Sequence, residues 1–157
     1  NHIARRLGCS ENLVCASPEY LATHAIPKVP ADLSRHLCLG YTYGATSDEW
    51  QFAGLGGTLE SVWVRWAMRA NNGSTARAAA IAAAGVIWQP SFVIGEDVRA
   101  GRLVEVMPAY RMPPIDILAI YASRRHLSAK VRVMVDFLVD ALRATPPQEG
   151  ELAPLRQ

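Results

Sequence analysis

Asn72-Gly73-Ser74-Thr75 stands directly ahead of the alanine-rich run from Ala76 to Ala84. Alanine favours helix. A helix that starts here offers unpaired backbone N–H groups and partial positive charge, which suit a carboxylate or phosphate. Gly73 has no Cβ and lets a ligand approach the backbone closely. The plain alternative is an ordinary capped helix. A second set, Gln89, Pro90 and Ser91, ends the apolar run Val86-Ile87-Trp88 and brings an amide and a hydroxyl to a strand end. Tyr41, Thr42 and Tyr43 offer rings and hydroxyls to line a cleft, although at least one of them is better suited to the core. Ser17, ahead of Pro18-Glu19, is first a helix cap and only second a ligand contact.

Other chemistry finds little support. His2, His24, His36 and His126 are scattered, and none has metal-ligand spacing with Cys or a carboxylate. Asp48-Glu49 is a carboxylate pair on a predicted loop, without a neighbouring His or Lys for acid–base work. There is no GxSxG, no phosphate-cradling glycine loop and no HExxH. Cys9, Cys15 and Cys38 are odd in number and irregular in spacing, which suggests neither a disulfide framework nor a redox or zinc motif. The expectation is a non-catalytic protein of a reducing, cytoplasmic compartment, with no metal and no cofactor.

The chain has 157 residues, of which 50% are hydrophobic and 19% charged, with a net charge of +2. That is enough apolar material for one ordinary domain, or for two small lobes. The clusters Arg5-Arg6 and Arg124-Arg125-His126 are too short to predict nucleic-acid binding, and solvated charge or salt bridging is their plainer role. Arg and Pro interrupt every apolar run short of membrane-spanning length. No apolar segment follows the first six residues as in a signal peptide, and the chain starts without Met, so it reads as a piece of something longer.

The elements that position these residues follow from period and punctuation. Leu13 to Ala16 reads as a strand, and Ser17-Pro18-Glu19 opens a helix that stops before Pro27. A short helix is predicted from Pro30 to near His36. Cys38 to Tyr43, Glu49 to Phe52 and a long run from Leu59 to Met68 read as strands joined by hairpin-like turns. The alanine-rich helix should end at Gly85 as its C′ residue. Val86 to Trp88, Leu103 to Met107 and Ile117 to Tyr121 are further strands, with a short helical turn between Gly95 and Gly101. Ser128 caps a last helix from Ala129 to Leu142, whose Val131, Met134, Val135, Leu138 and Leu142 share one face. The order predicts an α/β fold with a mixed sheet.

Four stretches in order resemble the C-terminal part of the effector-binding domain of LysR-type transcriptional regulators: Arg5-Arg6-Leu7-Gly8 with Leu13 to Leu21; His36 to Tyr41; Arg69 to Gly73 leading into the alanine-rich helix; and Arg124 to Arg132 continuing to Leu138. The resemblance implies a type 2 periplasmic-binding-protein-like fold of two α/β lobes with mixed sheets, the first lobe incomplete in this chain. It divides the chain into residues 1–16 ending the first lobe, 17–113 forming the second, 114–142 returning to the first with a C-terminal helix, and a tail at 143–157. It implies a small-molecule effector between the lobes, touched by Asn72, Gly73, Ser74, Thr75, Ser17, Tyr41, Thr42, Tyr43, Gln89, Pro90 and Ser91. DNA would be bound only through an N-terminal winged helix-turn-helix outside this chain. A homodimer or homotetramer and no membrane partner are further implied. Trp63, Trp66 and the segment Val86 to Pro90 are bulkier or more polar than the family pattern. The rival reading is a solute-binding subunit of a transporter, which shares the fold. A sheet cut from its partner strands exposes apolar surface, so self-association of the isolated chain is expected.

Overall fold

The structure, a computed structural model, describes residues 2–42, 48–122 and 128–144. In chain order these form β1 (His2–Ser10), β2 (Asn12–Ala16), α1 (Pro18–Thr23), a 3-10 helix at Pro30–Arg35, β3 (Leu37–Tyr41), β4 (Glu49–Ala53), a 3-10 turn at Leu55–Gly57, β5 (Leu59–Trp63), β6 (Arg65–Ala70), α2 (Gly73–Ile81), β7 (Val86–Pro90), α3 (Ser91–Arg99), β8 (Val104–Glu105), β9 (Ile115–Ala122) and α4 (Ala129–Ala144).

A mixed five-stranded sheet runs in the order β6-β3-β7-β2-β8. β6, β3 and β7 are parallel, while β2 is antiparallel to both β7 and β8. Successive side chains on a strand point to opposite faces, and this sorts the apolar residues into two layers. Val14, Ala16, Cys38 and Val86 join Tyr20, Leu33, Trp50 and Phe52 on one face, beneath α1, the Pro30–Arg35 helix and the β4-β5 ribbon. Leu13, Cys15, Leu39 and Ile87 lie on the other, against Ala76 and Ala80 of α2 and Ile94 of α3. Because β2 and β7 are buried on both faces, they read as near-continuous apolar runs rather than as alternating ones. Complete burial of a side chain such as Ile87 or Leu39 contributes about 2 kcal/mol. Alanine on the inner face of α2 allows that helix to lie close to the sheet.

Four sequence expectations change, the first being the short helical turn between Gly95 and Gly101, which is the nine-residue helix α3 beginning at Ser91 behind Pro90. The run from Leu59 to Met68 is two strands in two sheets. β5 pairs antiparallel with β4, from Glu49↔Trp63 to Ala53↔Leu59. The chain then breaks at buried Val64, whose N–H donates to the Asp48 carbonyl, and enters the large sheet as β6. Hairpin pairing therefore holds for β4 and β5, whereas β3 and β6 run parallel with the ribbon between them in sequence. The helix α2 ends on Ala83 in the left-handed region, with φ of 60°. Gly85 has a different reason to be glycine: a Cβ there would collide with the Leu37 carbonyl oxygen as β7 draws up beside β3. Finally, residues 12–16, grouped from the sequence with the first lobe, are hydrogen-bonded to β7 and β8 of the large sheet.

β1 and β9 form a separate antiparallel pair, from His2↔Ala122 to Ser10↔Ile115, with a register shift between Arg6 and Gly8. α4 packs on β1, burying Val135 and Val139. Arg5 bonds Asp136 at 2.6 Å and Arg6 bonds Asp116 at 2.8 Å. β1 carries two arginines and a glycine in its middle and gives little strand signal on its own. Its distant partner β9 supplies the pairing.

Candidate functional site

Parallel strands end on the same edge of a sheet, and open α/β sheets bind ligands outside the carboxyl ends of their strands. Here β3 ends at Tyr41, β6 at Ala70 and β7 at Pro90. Because β2 is antiparallel, its beginning lies on that edge, with Asn12 opposite Pro90. The fold thus brings together Tyr41 and Thr42, Asn72 to Thr75, and Gln89 to Ser91.

The start of α2 is built for close approach. Asn72 is extended, and its Oδ1 accepts the Thr75 N–H at 2.8 Å. That caps one donor of the first turn, while the N–H groups of Gly73 and Ser74 have no partner within the helix. A Cβ on Gly73 would stand 3.0 Å from Gln89 Oε1. Gln89 is only 8% exposed, and its amide has no hydrogen-bond partner among the described residues. Its amide atoms are not among the buried unpartnered ones, so they reach solvent, and beside the positive end of a helix they can offer both a donor and an acceptor to a ligand.

The neighbouring positions hold the edge in shape. The Thr42 N–H and hydroxyl both donate to the Ala70 carbonyl, at 2.8 and 3.2 Å, fastening the ends of β3 and β6. Tyr41 is half-buried opposite Ala70. Tyr43 lies outside the described residues. Pro90 is buried and occupies the N-cap of α3. The Ser91 N–H donates to the Glu11 carbonyl at 2.8 Å, and its hydroxyl lies 3.1 Å from that of Ser10. The Asn12 amide Nδ2 donates to the Pro113 carbonyl at 2.6 Å. Ser10 and Asn12 were not among the sequence candidates. The one signal for them is that both are polar residues flanking an apolar strand.

Ser17 stands apart. It follows the far end of β2, at the opposite edge of the sheet, and is 2% exposed. Its Oγ accepts the Tyr20 N–H at 3.2 Å, so the capping role accounts for it. The crossing into the large sheet, expected at Ala16-Ser17, lies instead at Ser10 to Asn12. Strand direction is the physical reason, and it is not written in the local sequence.

Two charged or titratable clusters support the fold. Asp97 is fully buried between α2 and α3, where it accepts from Arg77 Nε, from Arg77 Nη2 at 2.8 Å and from Arg102 Nε at 2.7 Å. The Arg77 hydrogen bond, set against the cost of burial and reinforced by Arg102, holds the Asp97 carboxyl below its ordinary range. Buried His36 meets Tyr20 Oη through Nδ1 at 3.1 Å, and the Leu37 N–H donates to the same oxygen. Burial, and next the neighbouring His24, hold the His36 imidazole below its ordinary value. Burial pushes the Cys38 thiol up to about 12 and the Cys15 thiol higher still, so both stay protonated. Among the described residues no group of three or more His, Cys, Asp or Glu is placed to hold a metal, and no helix is long and apolar enough to cross a membrane. The edge itself presents amides, hydroxyls and backbone N–H groups, the kinds of group that can hydrogen-bond and orient a ligand.

An open mixed sheet with helices on both faces, and a polar strand edge beside two crossings to a second strand pair, fits the type 2 periplasmic-binding-protein class of ligand-binding fold. Residues 1–143 match the LysR substrate binding domain family, and the chain belongs to it. It is 32% identical over 148 residues to an uncharacterized HTH-type transcriptional regulator, YhjC, of Escherichia coli K12, covering 90% of this chain and 48% of that protein. It is 33% identical over 143 residues to the HTH-type transcriptional regulator DmlR of the same organism, covering 88% and 45%. The structure superposes on the regulatory domain of CrgA, a LysR-type regulator of Neisseria meningitidis, with a TM-score of 0.76 at 28% identity, covering 90% of this chain and 69% of that one. The chain spans about half the length of the curated relatives it matches, 48% and 45%.

Proposed function

We propose that this chain is the effector-sensing part of a bacterial LysR-type DNA-binding transcriptional regulator, and that its effector is a small organic acid. The observation that carries the effector class is the Gln89 amide, which ends a largely buried residue, makes no hydrogen bond among the described residues and stands against the first turn of α2. The carboxylate sits on the N–H groups of Gly73 and Ser74, where the helix end is positive. The Gln89 amide reads the atoms beside it. Asn72 and Thr75 shape that turn, Tyr41 and Thr42 flank it, and Pro90 and Ser91 position the strand end. Tyr43 is retained as a contact from its place in the sequence, while the capping role of Ser17 takes it out of the proposed site. The residues fit a non-catalytic sensor without a cofactor.

Binding at this edge biases the arrangement of the large sheet relative to the β1-β9 pair, and the regulator reads that bias as a change in DNA binding. DNA is engaged by a winged helix-turn-helix outside this chain, in a cytoplasmic homodimer or homotetramer. The names of YhjC and DmlR as HTH-type regulators support this reading.

A thermal-shift panel of aromatic and aliphatic carboxylic acids, run on this chain and on the full-length regulator, tests it. One class is expected to stabilise by about 2.7 kcal/mol at a hundredfold excess over Kd. Gln89→Leu and Gly73→Val are expected to abolish that shift, and Ser17→Ala to lower the baseline Tm and leave the shift intact. A panel without a stabilising acid, or a shift indifferent to both site variants, overturns the reading.

A further inference from the structure

The β1-β9 pair and the five-stranded sheet are joined by two backbone crossings, one at Ser10 to Asn12 and one approaching β9 through Pro113 and Pro114. Motion of one body against the other must bend at these crossings. What fastens them therefore sets the stiffness of the joint.

The first crossing is fixed to the sheet through α3. The Ser91 N–H, at the open end of that helix, donates to the Glu11 carbonyl at 2.8 Å, and the hydroxyls of Ser91 and Ser10 meet at 3.1 Å in a buried contact. The second crossing is chemically harder to hold. Pro113 and Pro114 have no N–H, so they can be fastened only through their carbonyls, by a donor from elsewhere. Asn12 supplies that donor, with Nδ2 2.6 Å from the Pro113 carbonyl. Asn12 is 5% exposed, and its Oδ1 is buried without a partner. An apolar residue would avoid that cost but could not donate. The amide cannot turn over to relieve the oxygen, because two carbonyl-type oxygens would then face each other.

We propose that Asn12 is the latch of the hinge, a positioning residue whose hydrogen bond to Pro113 continues the tie between the two crossings past the last β1-β9 pair, Ser10↔Ile115, on the side of the large sheet. The half-satisfied amide fastens the joint without locking it. A fully bonded side chain would make separation of the crossings costly, whereas here opening gives up one bond and releases one buried unpaired oxygen to find a donor. The latch lies two residues from Ser10 and opposite Pro90, so the strand that carries Gln89 leads directly into the hinge. The proposal concerns the joint itself and does not depend on the identity of the effector.

Amide hydrogen exchange on this chain, with rates corrected for pH, tests it through Asn12→Ala and Asn12→Asp. Near neutral pH both variants are expected to speed exchange in the peptide covering 115–122 by about tenfold, the scale of one lost hydrogen bond. The peptide covering α2, 73–81, stays within about twofold, since opening of the joint leaves that helix packed. In Asn12→Asp the effect should shrink as pH falls, because a protonated carboxyl can donate to the Pro113 carbonyl again. Recovery to an exchange rate below that of Asn12→Ala marks the returned donor, because relief of a buried charge alone would bring the rate only to the alanine level. Equal acceleration throughout the chain, no acceleration at 115–122, or an acceleration in Asn12→Asp that does not respond to pH, would each overturn the proposal. A panel of acids that fails to bind while this pattern holds would remove the effector reading and leave the latch standing.

Discussion

Two glycines of this fold lack a side chain for different reasons, and the difference predicts opposite outcomes. Gly40 lies beneath the ring of Trp66, and a Cβ there would collide with it. Trp66 cannot swing away freely, because its Nε1 donates to Asp48 at 2.6 Å and its ring packs 5.9 Å from that of Trp50. Gly40→Ala is thus expected to destabilise by about 1–3 kcal/mol, the usual cost of overpacking, seen as a lower Tm with altered tryptophan fluorescence. Gly73 meets only the far end of the Gln89 side chain, at 3.0 Å, and that end can shift by a few tenths of an ångström. Gly73→Ala should hold or raise the Tm, since alanine is the better helix former by about 1 kcal/mol. The same change should weaken binding of a carboxylic acid, measured by calorimetry, because the methyl intrudes where the ligand approaches. A Gly73→Ala protein that loses stability and keeps its affinity would place the ligand elsewhere.

At the scale of elements, α2 and α3 meet the sheet independently but are tied to each other by Asp97. Arg77 reaches it from α2, and Arg102 reaches it from the turn after α3. The carboxyl is held below its ordinary range, so its stabilising contribution is fully present above about pH 4 and is lost as pH falls through the lowered value. Asp97→Asn keeps the shape and removes the charge. It is expected to cost about 2 kcal/mol at neutral pH, the scale of charge-assisted hydrogen bonds, and to flatten the acid limb of a plot of Tm against pH. An unchanged acid limb would mean that the helices do not depend on this tie.

For the whole molecule, acid should act first through His36. This buried imidazole is held below 6.5, so it folds neutral, and the stability that this provides is present above that pH and falls away as pH drops through the lowered value. Wild-type Tm is expected to decline in two stages, the earlier removed in His36→Gln and the later in Asp97→Asn. A single stage common to both variants would refute the assignment. The outer side of α4 adds a second whole-molecule property. Val133, Met134 and Phe137 are 67%, 56% and 63% exposed, and Ile120 of β9 is 67% exposed. Val133, Met134 and Phe137 line one apolar surface, and exposed apolar surface of this kind favours association. The isolated chain should elute from size exclusion as more than a monomer by light scattering, and Phe137→Glu with Val133→Glu should shift it toward monomer.

The sequence by itself determined which segments are helix or strand in most of the chain, and where a capped helix start would stand. Those facts are local: Ser17-Pro18-Glu19 opens a helix because a cap and a fixed φ act within one turn, and the alanine-rich run coils as far as Ile81 because alanine favours it. The capped turn at Asn72 to Thr75 is legible for the same reason, as is the apolar run ending at Gln89. The family resemblance supplied the fold, because several weak motifs in order constrain more than any one. The tertiary structure alone decided direction and partnership. Whether β2 runs with or against β7 sets which of its ends joins the edge formed by the carboxyl ends of β3, β6 and β7, and neither end carries a local mark of that choice. Strand direction therefore sets Ser17 at one edge of the sheet and Ser10 and Asn12 at the other, beside Pro90. Nor could β1 be read before β9 was beside it, since its arginines and glycine suit a strand only once a partner takes up their backbone groups. The break at Val64 has the same origin: one apolar run satisfies the strand pattern throughout, and only packing divides it between a ribbon and a sheet.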